Sequence, residues 1–189
     1  MKRFICAAIV LTILWITSCT AAVELTDEEA IAILSDLIPR SAELNEIFWG
    51  EGLPTVDYDE DDLPISFNWY YVEVTPDCKY QSINDIEAAA SQVFTYGFLQ
   101  IIYSWAFFGS YELKPRYSEN DDGVLQRNVM DNGFELTTVF HIDQAKVKSG
   151  KRDSVTVTVP ADVQGEPYGD VDLVLIKENG VWLLDSPTY

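Results

Sequence analysis

Strict alternation of apolar and polar residues in the last third of the chain constrains the fold more than any other feature. In Phe134-Glu-Leu-Thr-Thr-Val-Phe-His-Ile142 one face carries Phe134, Leu136, Thr138, Phe140 and Ile142, the other Glu135, Thr137, Val139 and His141. Successive strand side chains point to opposite sides of a sheet, so this pattern predicts a strand half-buried against a core. Residues 154–159 repeat it with Val155, Val157 and Val159 inward, and segments 170–176 and 181–184 follow. Asn179-Gly180 supplies the positive φ angles of a tight hairpin turn between the last two. Ser149-Gly150 is expected to play the same part between the first two. Four consecutive strands joined by short turns make an antiparallel meander, and its inner face requires an apolar cover.

Two helices upstream are the candidates for that cover. Thr26-Asp-Glu-Glu29 forms a capping box, and its acidic residues suit the positive end of a helix dipole. Ile31, Leu34 and Ile38 share one face, and Pro39 is expected to kink or restart the helix, which continues through Leu44, Ile47 and Phe48 to Gly50. Ser82-Ile-Asn-Asp85 is a second cap signature. A helix from there to Phe108 would carry Ile86, Ala90, Val93, Gly97, Ile101 and Trp105 on a single stripe. No charged residue lies between Glu87 and Glu112, yet Ser91, Gln92, Thr95, Gln100 and Ser104 favour a core helix over a membrane span. Segment 67–74 reads as a strand, Val124-Leu125 as a short one, and 165–169 as an irregular loop. The expected fold is α+β: N-terminal helices and a long helix packed on a curved antiparallel sheet, in a single domain over 26–189.

The start of the chain bears on the compartment. Lys2 and Arg3 precede an uncharged apolar run from Phe4 to Ile16, too short to span a bilayer and suited to a signal sequence. It ends in Ile16-Thr-Ser-Cys19, which resembles the lipobox of bacterial lipoproteins. Residues 1–18 are then a lipoprotein signal peptide, Cys19 the lipid attachment site and 19–25 a short tether. The tether reaches at most ~25 Å when extended. The expected location is the extracellular face of the cell membrane, lipid-anchored. Of three cysteines, only Cys78 remains for the folded domain, which excludes an intramolecular disulfide and a thiolate zinc site. Loss of Lys2 and Arg3 takes the basic count from 12 to 10 against 31 acidic residues, and the net charge from −19 to −21. Nucleic acid is therefore not an expected partner, and anionic lipid headgroups would repel the domain unless cations intervene.

Residues with chemistry to offer are few. Asp57, Asp59 and Asp61 copy the first three ligand positions of a calcium loop, but Asp62 stands where the turn needs glycine and Asn68 where a bidentate glutamate belongs. The segment reads as an acidic, solvated loop and a weak calcium candidate, with no other metal and no cofactor expected. His141, the sole histidine, falls on the polar face of its strand, away from a pocket. Arg116 is surrounded by carboxylates in sequence and reads as a structural ion pair that could also orient an anion. No Ser/His/Asp order or phosphate-binding glycine loop is present.

The arrangement of helices and meander, closing in Lys177-Glu-Asn-Gly-Val-Trp182, resembles the nuclear-transport-factor-2-like (NTF2-like, cystatin-like) cone, in which a curved sheet wraps a long helix. Leu37-Ile-Pro-Arg40, Ile47-Phe-Trp-Gly-Glu-Gly-Leu-Pro54, Ser82-Ile-Asn-Asp85 and Pro115-Arg-Tyr117 resemble lipoproteins of Gram-positive clostridia for which no activity is established. Abundant aromatics and the absence of a catalytic set lead to the expectation of a non-catalytic cell-surface module binding a small molecule or protein partner. Its concave face would be lined by Trp69, Tyr71, Tyr103 and Trp105, with Arg116 and Tyr117 at the entry to the sheet. Relatives of that fold such as ketosteroid isomerase imply an alternative, a small lyase or isomerase with its site in the cone. A third reading is a homodimerising accessory domain of cell-wall machinery.

Overall fold

The computed structural model describes residues 25–59, 61, 63, 69–110 and 113–189. They form an α+β structure: one long helix and shorter helical segments on a strongly curled antiparallel sheet, with a small second sheet alongside. The long helix, α1, runs Asp27–Phe48. Its capping box is complete: Glu29 N–H donates to the Thr26 hydroxyl at 3.2 Å, and Thr26 N–H to the Glu29 carboxylate at 2.9 Å. Pro39 neither breaks nor restarts it. The ring sits on the exposed side, where the Ser35 carbonyl left without its helical donor can bond water. The expected N-terminal helices are therefore one helix, which buries Ala30, Leu34, Leu37, Leu44, Ile47 and Phe48.

The five-stranded sheet comprises β4 (Thr138–Phe140), β5 (Lys146–Lys151), β6 (Ser154–Val163), β7 (Glu166–Glu178) and β8 (Val181–Leu184). Its order is β4-β6-β7-β8, with β5 pairing the other end of β6. Val155, Val157 and Val159 face inward as their alternation requires, opposite Leu173 and Leu175 of β7, all essentially inaccessible. The Asn179-Gly180 turn has both φ angles positive, 51° and 86°. Three expectations need correction. The first strand is confined to Thr138–Phe140, because Phe134 N–H bonds the Trp49 carbonyl at 2.8 Å and Ile142–Gln144 winds into a 3-10 turn. Ser149-Gly150 lies inside β5, where the register shifts between Val147 and Ser149, and the reversal falls at Arg152-Asp153. The expected loop 165–169 instead opens β7, behind a turn at Gln164-Gly165 with φ of 55° and 77°.

The second helix also departs from expectation. Segment 82–108 is broken into α2 (Ile83–Ala90), α3 (Tyr96–Tyr103) and a π-helical turn (Ser104–Phe108). At the break the backbone straightens to meet the end of β8: Leu184 N–H donates to the Val93 carbonyl at 2.8 Å, and Thr95 N–H to the Leu184 carbonyl at 2.9 Å. Thr95 is β-branched and takes extended backbone there, with φ of −64° and ψ of 154°. The Thr95 hydroxyl then caps α3 by accepting from Phe98 N–H at 3.2 Å, and also bonds the Asp185 carboxylate. The break splits the stripe. Ile86, Ala90 and Val93 are buried, whereas Ile101 is 60% and Trp105 56% exposed, and Leu99, Ile102, Tyr103 and Ala106 turn inward in their place.

The smaller sheet has order β1-β3-β2, built from Tyr71–Glu73, Leu125–Asn128 and Tyr117–Glu119 respectively. Residues 67 and 68 of the expected strand lie outside the described residues. All of the buried apolar core falls between Leu25 and Leu184. Among the described residues no helix is long and apolar enough to cross a membrane.

Ile86→Ala should lower stability by about 2–5 kcal/mol, the usual cost of emptying a packed aliphatic site. Ile101→Ala should stay within about 0.5 kcal/mol. Urea unfolding of both variants tests the broken helix, since a continuous one would make the two losses alike.

Candidate functional site

The last turn of a helix leaves carbonyls without intrahelical donors, and α1 has no basic residue there to serve them. Arg116, immediately before β2 and 3% exposed, does so from across the fold. Its Nε–H donates to the Ile47 carbonyl at 2.9 Å and one Nη to the Gly50 carbonyl. The other Nη pairs with the Asp131 carboxylate at 2.8 Å and bonds the Asp131 carbonyl at 3.2 Å. Tyr117 completes the join. Its hydroxyl donates to the Ile47 carbonyl at 2.9 Å and accepts from Leu53 N–H at 3.0 Å, and burial raises its pKa. Gly133 lies against the same helix end with φ of +64°, and a Cβ there would stand 2.0 Å from the Gly50 oxygen. Only glycine fits that contact.

A cleft of about 620 Å³ opens over this junction. Its lining includes Trp105 and Ala106 of the π-helical turn, Phe48 and Trp49 at the end of α1, and Met130 and Phe134. Leu113 and Lys114 stand at its margin, both exposed. The π turn closes with Gly109 N–H donating to the Ser104 carbonyl, five residues back, at 2.9 Å. Such turns widen a helix locally and recur at functional sites. Trp105 is 56% and Phe134 49% exposed, so the lining presents two large apolar side chains, and the Phe134 ring also packs on Tyr189 with centroids 5.8 Å apart. Much of the polar lining is paired within the protein, whereas the buried Trp49 Nε1–H has no hydrogen-bond partner among the described residues. Arg116 spends its donors on backbone and on Asp131, and the Asn128 side-chain oxygen accepts from Tyr70 and Met130 N–H at 3.0 and 3.2 Å.

Of the six residues expected to form a pocket, the structure brings only Trp105 and Arg116 to the cleft. Trp69 stacks against Tyr71 with ring centroids 6.1 Å apart. The Tyr71 hydroxyl donates to the Pro115 carbonyl at 2.7 Å, and burial pushes its pKa up to about 12. Tyr103 packs on Phe107 and Tyr117 is wholly buried, so both belong to the core. The concave side of the large sheet, where the pocket was expected, is filled by Val155, Val157, Leu173, Leu175 and the α1 stripe. Trp49, Leu113, Lys114 and Phe134 were not anticipated. The run Asp131-Asn-Gly133 ahead of Phe134 marks a turn in sequence, but nothing local shows that the turn seats on a helix end.

Asp57, Asp59 and Asp61 border an open acidic depression in which Asp61 N–H bonds the Asp59 carboxylate at 3.0 Å. Among the described residues no group of three or more carboxylate, histidine or cysteine side chains is placed to hold a metal ion. His141 Nε2 lies 3.0 Å from the Asp162 carboxylate, half-exposed and remote from the cleft lining. Cys19 lies outside the described residues. Buried polar side chains among those described are Ser41, Asn45, Thr95, Arg116, Asn128, Ser186 and Thr188, with neither a carboxylate nor a histidine. No protein-family model matches the chain, and comparison with curated proteins yields no similar relative.

Arg116→Lys should destabilise the fold by about 3–5 kcal/mol, because one ammonium cannot reach the Ile47 and Gly50 carbonyls and Asp131 together. Denaturant titration of the variant checks this, and a neutral result would remove Arg116 as the junction. Alkaline stability tests the tyrosines. The folded-state pKa of Tyr71 is raised from 10.0 to about 12, so its contribution is complete below pH 10 and declines as pH rises toward 12. Tyr71→Phe should flatten that decline.

Proposed function

We propose that this chain is a lipid-anchored, extracellular binding module of NTF2-like type, without catalysis, whose ligand site is the cleft between Trp105 and Phe134. The observation that carries this reading is a cleft of about 620 Å³ lined by Trp49, Trp105 and Phe134, in which Arg116 is paired within the protein. That volume lies within the range of sites for small molecules, and an apolar lining with few polar groups is their usual composition. Catalysis by proton transfer would need a carboxylate or histidine in the cavity with a pKa displaced toward neutrality. Among the described residues lining the cleft the one carboxylate, Asp131, is held by Arg116.

Anchoring follows from the Ile16-Thr-Ser-Cys19 motif behind an apolar run. Helix α1 begins two residues after Leu25 and runs away from the tether for 22 residues. At 1.5 Å per residue that carries its far end, where the cleft lies, roughly 33 Å along the helix axis. The cleft is thus held away from the attachment point, on the domain's distal end with respect to α1.

Cys19→Ser should abolish incorporation of labelled palmitate and move the chain from the membrane fraction to the medium. Retention in the membrane fraction with label still incorporated would overturn the anchor. Trp105→Ala should leave the unfolding midpoint within a few degrees, as expected for a half-exposed side chain. A collapse of stability would make Trp105 a core residue and remove the wall of the site.

A further inference from the structure

Among the described residues the cleft lining includes two cations, Arg116 and Lys114, and they differ in their pairing. Arg116 is saturated by the Ile47 and Gly50 carbonyls and Asp131. Lys114 is exposed at the cleft margin and has no carboxylate partner among the described residues. Its ammonium lies 5.7 Å from the centroid of the Trp69 ring, a cation–π contact that holds it without neutralising it. Lys151 and Lys177 likewise have no carboxylate partner among the described residues, but neither lines the cleft. Lys79, Lys146 and Lys148, by contrast, each pair with a carboxylate.

We infer that the cleft selects amphipathic monoanions: an aromatic or aliphatic body lies between Trp105 and Phe134, and a carboxylate or sulfonate head meets Lys114. This assignment rests on the cleft being the ligand site. Apolar walls take the body by burial of area. An anionic head finds in Lys114 a charge with no carboxylate partner among the described residues, whereas a cationic head would meet Asp131 already engaged by Arg116. A strongly polar ligand such as an oligosaccharide is poorly matched, since Arg116 and the Asn128 side-chain oxygen are spent within the protein. Sequence around Lys114 carries little sign of this, because its role depends on Trp69, 45 positions earlier.

A matched pair of dyes tests the assignment on the mature chain, residues 19–189 with Cys19→Ser, which retains the entire core. The probes are 1-anilinonaphthalene-8-sulfonate and the uncharged N-phenyl-1-naphthylamine, the same body with and without an anion. The sulfonate should bind at least tenfold more tightly than the neutral dye and raise the thermal midpoint, as binding to the folded state requires. Trp105→Ala should weaken both dyes. Lys114→Gln should weaken the sulfonate roughly tenfold, the loss of one charge-assisted contact, and leave the neutral dye unchanged. Equal affinity for the two dyes, or a sulfonate indifferent to Lys114→Gln, overturns the anion assignment while leaving the cleft as the site. Absence of binding by either dye, or binding unaffected by Trp105→Ala, overturns the cleft itself and the assignment with it.

Discussion

The fold depends on how the far end of α1 is terminated. A helix that ends in the interior must find donors for its last carbonyls, and an orphaned pair would cost several kcal/mol. α1 has neither a basic last turn nor a glycine C-cap; Gly50 and Gly52 N–H serve the Asn45 and Glu46 carbonyls locally, but the Ile47 carbonyl is served from far along the chain. The donors come from Arg116 and Tyr117, about seventy residues later in sequence. A single guanidinium thereby fastens the helix end, the 50–53 turn and the 131–134 loop to the mouth of the smaller sheet. Arginine suits the task because its five donors are fixed in a plane and its charge complements the negative end of the helix dipole. The cleft is a by-product of that junction: its base is the helix end and one wall is the loop that the junction holds.

At the other side of the molecule the organising element is the β6–β7 hairpin, whose inward valines and leucines meet the α1 stripe. Close packing there leaves no room for a ligand on the concave face. A cone needs its helix to stand off from the sheet to enclose a cavity. Here Leu34, Leu44 and Phe94 fill the space. The break at residues 91–95 contributes, since Val93 and Thr95 bridge to Leu184 and draw the chain onto the end of β8. The cleft lies instead where the π-helical turn and irregular loops replace regular packing.

Legibility in the sequence followed the range of the interaction concerned. Period-2 alternation, the Asn179-Gly180 turn and the Thr26 capping box are encoded within a few residues, and each was readable with its mechanism. The continuous helix over 82–108 was misread because its local pattern is helical throughout, while the competing bond, Val93–Thr95 to Leu184, joins residues about ninety positions apart. Ser149-Gly150 looked like a turn because glycine marks reversals more often than bulges, and the bulge is set by pairing with β6. The cleft was largely illegible for the same reason. Trp105 and Arg116 stood out by residue type, but Trp49, Lys114 and Phe134 acquire a shared role only when the junction assembles them.

The charge of the domain and the charge of the cleft act at different ranges. A surface dominated by carboxylates repels an approaching anion over distances set by screening, roughly 8 Å at physiological ionic strength. Within that distance the local arrangement decides, and beside the cleft it is Lys114, not the net charge, that an entering head group meets. The global field therefore acts on the rate of encounter and the lysine on the lifetime of the complex. Salt should affect these two quantities in opposite senses, speeding arrival as repulsion is screened and shortening residence as the ion pair weakens. A module built this way would discriminate against polyanions, whose several charges feel the acidic surface together. It would admit single-headed amphiphiles, whose one charge is met by Lys114 and whose bulk is taken up by Trp105 and Phe134.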